Sequence, residues 1–247
     1  MILRRLAEAI AKQNWFTVML EVLIVVVGIF IGLQADDWNQ ERRDRIDEQL
    51  YLAELLEDFG ANQTSLDQMT EQLKEILVAM NGLMEQSALE APTWSVQELN
   101  AAIRRIQEMP FFLPVSRAYD NLTGSGELRI LQSRTLKNTF ALYFAKAEVV
   151  ELVMRTHEME LVQTFQPYII ENMDYQAVGL EREPGFSHPP AVNEARILEV
   201  LQSRKFRNVA MQKWIISNDL LNEFDEMHGL NKGVIEILKL GLAGGAE

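Results

Sequence analysis

Residues Phe16 to Leu33 read FTVMLEVLIVVVGIFIGL, eighteen positions carrying one charge, Glu21. Whether this segment enters a bilayer or a soluble core sets the architecture of everything after it. The uninterrupted apolar run, Val22 to Leu33, is 12 residues, which alone fits a buried core helix. Extended back to Trp15 the segment has 19 residues, about 28 Å of helix, close to the thickness of a bilayer's hydrocarbon core. It contains 13 Leu, Ile, Val or Phe residues, favourable by about 4–8 kcal/mol in sum. An acidic residue at a helix centre costs about 2.5–3.5 kcal/mol, and Glu21 is off centre. Insertion therefore wins, and the sequence predicts a transmembrane helix over 15–34 with Trp15 and Trp38 as interfacial anchors. A cleaved signal peptide is the rival reading and fits poorly. The preceding region is long and contains Glu8, and a cut after Ala35 puts Leu33 where a small residue is wanted.

Working outward, residues 1–14 form a short basic segment with Arg4, Arg5 and Lys12. Arg42, Arg43 and Arg45 lie beyond the span, so the count of basic residues is a tie. A short basic tail stays in the cytoplasm more easily than a long acidic domain does. The expected orientation is N-terminus cytoplasmic, with residues 35–247 extracytoplasmic. Within the span, Glu21, Gly28, Gly32 and Ala35 are spaced by 7, 4 and 3, which places them on one helical stripe. Gly28 and Gly32 form a G-x-x-x-G pair that lets another helix approach closely. A carboxyl on that stripe is tolerable against a protein partner and costly against lipid. The stripe is thus expected to pack on another transmembrane helix, in a homo-oligomer or another membrane-protein complex. In the competing reading Glu21 sits near the interface and the glycines are incidental.

The whole chain has 247 residues, 23 Lys+Arg against 36 Asp+Glu, and a formal charge of −13. Such a balance argues against nucleic acid, which needs a basic stripe. Zero cysteine excludes disulfide scaffolds, thiolate metal sites and thiol nucleophiles. With 13 glycines and 7 prolines the composition favours long helices. The predicted fold class is mainly α: the membrane helix continues into an antiparallel helical bundle.

Apolar periodicity continues through Ile46, Leu50, Leu52, Leu56 and Phe59, and Gly60-Ala-Asn62 is expected to break it. A second amphipathic run carries Leu66, Met69, Leu73, Ile76, Met80 and Leu83 until Ala91-Pro92. Ser95-Val-Gln-Glu98 is a capping box before Leu99, Ala102, Ile103 and Ile106. Met109 to Pro114 reads as a turn rich in buried aromatics, and 114–122 as a short helix stopped by Gly124 and Gly126. A long helix from about Ser133 to Gln166 has the line Leu136, Phe140, Tyr143, Ala147, Val150, Met154, Leu161 and Phe165, and Pro167 should kink or end it. Residues 174–192 form the one long loop, with three prolines and two glycines. A last helical region spans 193 to about 240, with interruptions expected near Ser203 and Gly229. Residues 130–138 (ILQSRTLKN) and 200–208 (VLQSRKFRN) share five of nine positions. A duplication and a convergence on helix-capping chemistry both account for this, with Ser133 and Ser203 as N-caps.

No phosphate loop, dinucleotide loop or nucleophile elbow is present. His157-Glu158 begins an H-E-x-x-H, but Leu161 replaces the second ligand, and Met154 stands where a di-iron Glu is needed. His157, His188 and His228 are far apart and read as surface or cap residues. No metal, cofactor or catalytic residue is expected.

The run Glu21-Val-Leu-Ile-Val-Val-Val-Gly28-Ile-Phe-Ile-Gly32-Leu-Gln34-Ala-Asp-Asp37-Trp38-Asn39 resembles the N-terminal signature of a bacterial family of unknown function. A second stretch is similar to the same family: Ala118-Tyr119-Asp120-Asn121-Leu122, Ser125-Gly126-Glu-Leu128-Arg-Ile130-Leu131, Leu136-Lys-Asn138 and Tyr143. Arg-x-Phe206-Arg-Asn208 also resembles its later helix start. Gly32 stands where members often carry Ala, and Phe144 where a second Tyr is usual. The resemblance implies a single-pass membrane architecture with a C-terminal helical domain, and it carries no established activity over to this chain. The expected function is a non-catalytic accessory or scaffolding subunit. The alternative is an extracytoplasmic ligand-binding or sensory bundle, with a pocket near Phe111-Phe112 and the 174–192 loop. A hydrolase or metalloenzyme is the third reading, and no nucleophile–base or ligand set supports it.

Overall fold

The computed structural model of the chain describes residues 15–175, 178 and 194–244. Among these the chain is helical without strands. The helices are α1 (Trp15–Ala88), α2 (Val96–Ile106), α3 (Arg117–Gly124), α4 (Arg134–Glu160), α5 (Gln166–Asn172), α6 (Glu194–Gln202) and α7 (Arg204–Gly244). A 3₁₀ turn, Glu127–Arg129, precedes α4, and a π turn, Leu161–Phe165, joins α4 to α5. The chain divides into two compact units, up to Tyr51 and from Leu52 onward.

In the first unit α1 buries almost nothing. Its apolar side chains from Met19 to Leu33 are exposed around the whole circumference. In the second unit three long segments, α1 beyond Leu52, α4 and α7, form a bundle. α7 buries Phe206, Ala210, Lys213, Ser217, Leu220, Phe224, Met227, Asn231, Val234 and Leu238. The steps alternate 4 and 3 throughout, which is the repeat of a coiled-coil seam. α4 buries Leu136, Phe140, Tyr143, Val150, Met154 and His157 with the same rhythm. Along α4 residue numbers rise as they fall on α7: Lys146 pairs with Glu223 and Glu226, and Glu160 with Lys213. α7 is also antiparallel to the bundle part of α1. Asn231 donates to the Phe59 carbonyl at 3.0 Å, while Gly241 lies beside Leu52.

Several expectations are corrected. Gly60-Ala-Asn62 does not break α1, which runs on to Ala88. A helical glycine costs about 1 kcal/mol, whereas each large apolar side chain buried contributes about 1.5–3 kcal/mol. Leu55, Phe59 and Leu66 are fully buried on either side. Asn62 is no turn residue. Its amide donates to the Val115 carbonyl at 2.9 Å and accepts from the Val115 N–H at 2.7 Å, clamping the segment before α3. Gly229 likewise fails to interrupt α7, because Met227, Asn231 and Val234 keep its neighbours in the core. The interruption at Ser203 is present.

Pro167 neither ends the helix nor passes silently. It has no N–H to donate and its ring crowds the preceding turn. The backbone widens into the π turn and α5 starts with Pro167 in its first turn. The caps follow the sequence. Ser95 and Glu98 close a capping box on α2, Ser133 accepts from the Leu136 N–H, and Ser203 accepts from the Phe206 N–H. α3 is capped from outside its own sequence. Buried Asp58 of α1 accepts from the Ala118 N–H at 2.9 Å and from Arg117 Nη2 at 2.8 Å.

α1 turns back into α2 by a close approach. The Trp94 ring lies where a Cβ on Gly82 would sit, 2.3 Å away. Gln86 Oε1 accepts from the N–H groups of Thr93 and Trp94. Aromatic rings tie α1, α3 and α4 together: Phe59–Tyr143 at 4.8 Å, Phe59–Phe140 at 5.5 Å and Tyr119–Phe144 at 4.2 Å. Residues that carried the family resemblance, Tyr119, Leu122, Leu136 and Tyr143, are thus packing residues. The Met109–Pro114 turn is only partly buried: Phe112 is inside, while Phe111 and Leu113 are exposed. Of the 174–192 loop only Asp174, Tyr175 and Val178 fall within the described residues.

Candidate functional site

Glu21, Gly28, Gly32 and Ala35 fall on one line of α1, and all four are exposed. A Cβ added to Gly28 or Gly32 would meet nothing within 4 Å. The line is open along its length, and at Gly28 and Gly32 the helix backbone lies bare. Around it Val22, Leu23, Ile24, Val25, Ile29, Phe30 and Ile31 are also exposed. Trp38 is 65 % exposed at the far end, and Trp15 opens the helix. Apolar surfaces this continuous are a mark of membrane or protein contact. The helix is long and apolar enough to cross a membrane and contributes nothing to a soluble core. The arrangement can bind lipid on most of its circumference and a close-packed helix on one line.

A second group of residues was not anticipated. His157, Glu160, Lys213 and Ser217 meet in the bundle core where α4 passes into the π turn, and all are buried. His157 Nε2 lies 3.2 Å from Ser217 Oγ. Lys213 Nζ lies 3.3 Å from Glu160 Oε2, a charge pair without hydrogen-bond alignment. Burial pushes the His157 imidazole down to about 3, with the Lys213 charge adding to the effect. Burial also raises the Glu160 carboxyl and lowers the Lys213 ammonium, and each one's charge opposes the other's shift. His157 is therefore neutral and internal, not the surface or cap residue its isolation in sequence suggested. The missed signal was spacing: Met154, His157 and Leu161 continue the buried line of α4, as Ala210, Lys213 and Ser217 do on α7. Polar residues at such seam positions fix which turn of one helix meets which turn of the other.

His228 is half-buried inside α7, in contact with Gln63 and Asp67 of α1. The hydrogen bond from His228 holds the Asp67 carboxyl below its usual range. His188 lies outside the described residues.

A groove of about 430 Å³ opens between the 109–116 segment and α4. Its floor is Phe112, Phe144 and Met154, and Glu148, Arg155 and Glu158 stand at its edge. It lies at the Phe111-Phe112 turn, with no described residue of the 174–192 loop in its lining, and the Phe112 N–H points to Met154 Sδ at 3.3 Å.

Residues 21–150 match a family described as a family of unknown function (DUF6090). The match begins at Glu21 and contains the open stripe and the 118–143 motifs; the Phe206-Arg-Asn208 likeness lies outside it. No curated protein and no solved structure matches the chain.

Proposed function

The chain belongs to this family of unknown function, and from that premise we propose that it is a single-pass inner-membrane protein serving as a non-catalytic accessory or scaffolding subunit. One observation carries the reading. The apolar stretch of α1 is exposed on every side, and its bare line of Glu21, Gly28, Gly32 and Ala35 has no occupant among the described residues. Lipid satisfies the circumference, and a second membrane helix satisfies the line. The uncleaved state is supported by the helix itself. A cut after Ala35 would fall inside α1, which continues to Ala88 and supplies the core residues Leu55, Phe59, Leu66 and Leu73. Residues 1–14 are read as cytoplasmic and the bundle as periplasmic.

The test is extraction of the tagged full chain in mild detergent followed by native mass measurement. The expected result is a complex, and Gly28→Leu/Gly32→Leu should reduce it to monomer. A monomer from the unaltered chain, or a complex indifferent to the double substitution, would overturn the role of the stripe. Recovery in the soluble fraction without detergent would remove the membrane reading altogether.

The groove at Phe112 supports a second reading, a ligand-binding bundle acting through a partner. Its apolar floor with convergent charged groups is the usual form of a small-molecule site. Phe144→Trp, which fills the groove, should then abolish binding of the ligand while leaving the membrane complex intact.

A further inference from the structure

α4 carries two apolar lines, and the bundle uses one. The inner line includes Phe140, Tyr143, Val150, Met154 and His157. The outer line is Leu142, Ala145, Val149, Leu152, Thr156 and Met159, all exposed. Its steps of 3, 4, 3, 4 and 3 are those of the a and d positions of a coiled coil. At 100° per residue the two lines lie on roughly opposite sides of the helix. Leu142, Leu152 and Met159 are 61 %, 65 % and 56 % exposed. Single exposed apolar residues need no explanation, but three successive heptads do.

We propose that this outer seam is a self-association surface whose occupant is α4 of a second copy of the chain. The charges beside the seam name that occupant. In a chain of net charge −13, two faces taken at random set acid against acid. Here they do not. With the copies antiparallel, Leu142 packs on Met159 of the partner subunit and Val149 on Leu152 of the partner subunit. That register brings Glu148 opposite Arg155 of the partner subunit, and by symmetry Arg155 opposite Glu148 of the partner subunit. With the copies parallel, Glu148 meets Val153 of the partner subunit and Lys146 meets Ala141 of the partner subunit. Like charges face each other in neither case, so the seam accepts its own copy without repulsion.

Size supplies the second constraint. The seam is about 27 Å long and one helix wide, less than the ~800 Å² per partner of a standard interface. It needs the high effective concentration that anchoring both copies in one bilayer provides. To that extent the inference rests on the membrane reading above.

The chain has no cysteine, so introduced thiols are unique. Leu142→Cys, Leu152→Cys and Met159→Cys, singly and with Leu142→Cys/Met159→Cys combined, are oxidised in the full chain in its membrane. Gln212→Cys, exposed on α7, is the control. Disulfide-linked dimer several-fold above the control is expected. Linking by the single 142 and 159 variants reports parallel copies, and linking by the 142/159 pair alone reports antiparallel ones. Dimer no greater than the control at every seam position overturns the proposal. Val149→Glu/Leu152→Glu alters only exposed positions and should abolish the link formed through 142 and 159 with the helical spectrum unchanged. Gly28→Leu/Gly32→Leu should leave that link in place. If instead the glycine variant removes the link and the glutamate variant does not, the seam fails and the membrane stripe stands.

Discussion

At the scale of single residues the least conventional choice is a set of ionisable groups in a dry core. His157 is neutral in the folded chain because burial depresses it to about 3, whereas the unfolded chain titrates it near 6.5. The folded pKa is the lower one, so the unfolded state binds the extra proton. Stability is therefore complete above about pH 6.5 and is lost as pH falls toward 3, by about 1.4 kcal/mol per pH unit within that window. Between pH 7 and pH 5 this amounts to about 2 kcal/mol. Thermal unfolding followed by circular dichroism should show that loss, and His157→Asn should show a smaller one; equal pH slopes would mean His157 is not held neutral. The Glu160–Lys213 pair makes a different prediction. Removing one partner strands the other charge, so Lys213→Met should cost about 3–5 kcal/mol in denaturant unfolding. Lys213→Met with Glu160→Leu should recover most of it, because an apolar pair of similar size fills the same space.

At the scale of elements, periodicity was a reliable guide wherever burial has one regular face. The inward line of α4, the capping box at Ser95 and the caps at Ser133 and Ser203 were all legible in the sequence. The echo between 130–138 and 200–208 has the same capping geometry in both copies, with the serine accepting from the N–H three residues on at 3.1 Å. Ser133→Ala and Ser203→Ala should each cost about 1 kcal/mol. Their effects should add in the double variant, since the two caps serve different helices. What the sequence hid was tertiary. Gly60 and Gly229 look like stops because local propensity is all that adjacent residues report. Phe59 is held by Phe140 and Tyr143, more than seventy residues away, and Leu66, Met227 and Val234 are buried as well. Asn62 reads as a turn former until Val115 is placed beside it. His157 reads as a surface or cap residue because its charge class outweighs its spacing in a one-dimensional reading. The Asp58 cap on α3 had no local sign, since cap and helix are about sixty residues apart.

At the scale of the whole molecule, the acidic charge and the apolar stretch of α1 lie in different parts of the chain. Residues 1–14 hold three basic residues and one acid, so the −13 belongs to the chain after the apolar segment. Basic residues flanking the segment are balanced, Arg4, Arg5 and Lys12 against Arg42, Arg43 and Arg45, and the flanks alone do not choose a side. The proposed orientation, with the bundle on the periplasmic side, therefore calls for a direct measurement. The absence of cysteine again makes the experiment direct. Gln13→Cys reports the short tail and Gln212→Cys the exposed face of α7. In intact cells with a permeable outer barrier, a membrane-impermeant maleimide should label Gln212→Cys within minutes. It should label Gln13→Cys only after the inner membrane is broken. The reverse pattern places the bundle in the cytoplasm. That result would leave the anchor and the seam on α4 in place, and would move the partners they serve to the other face of the membrane.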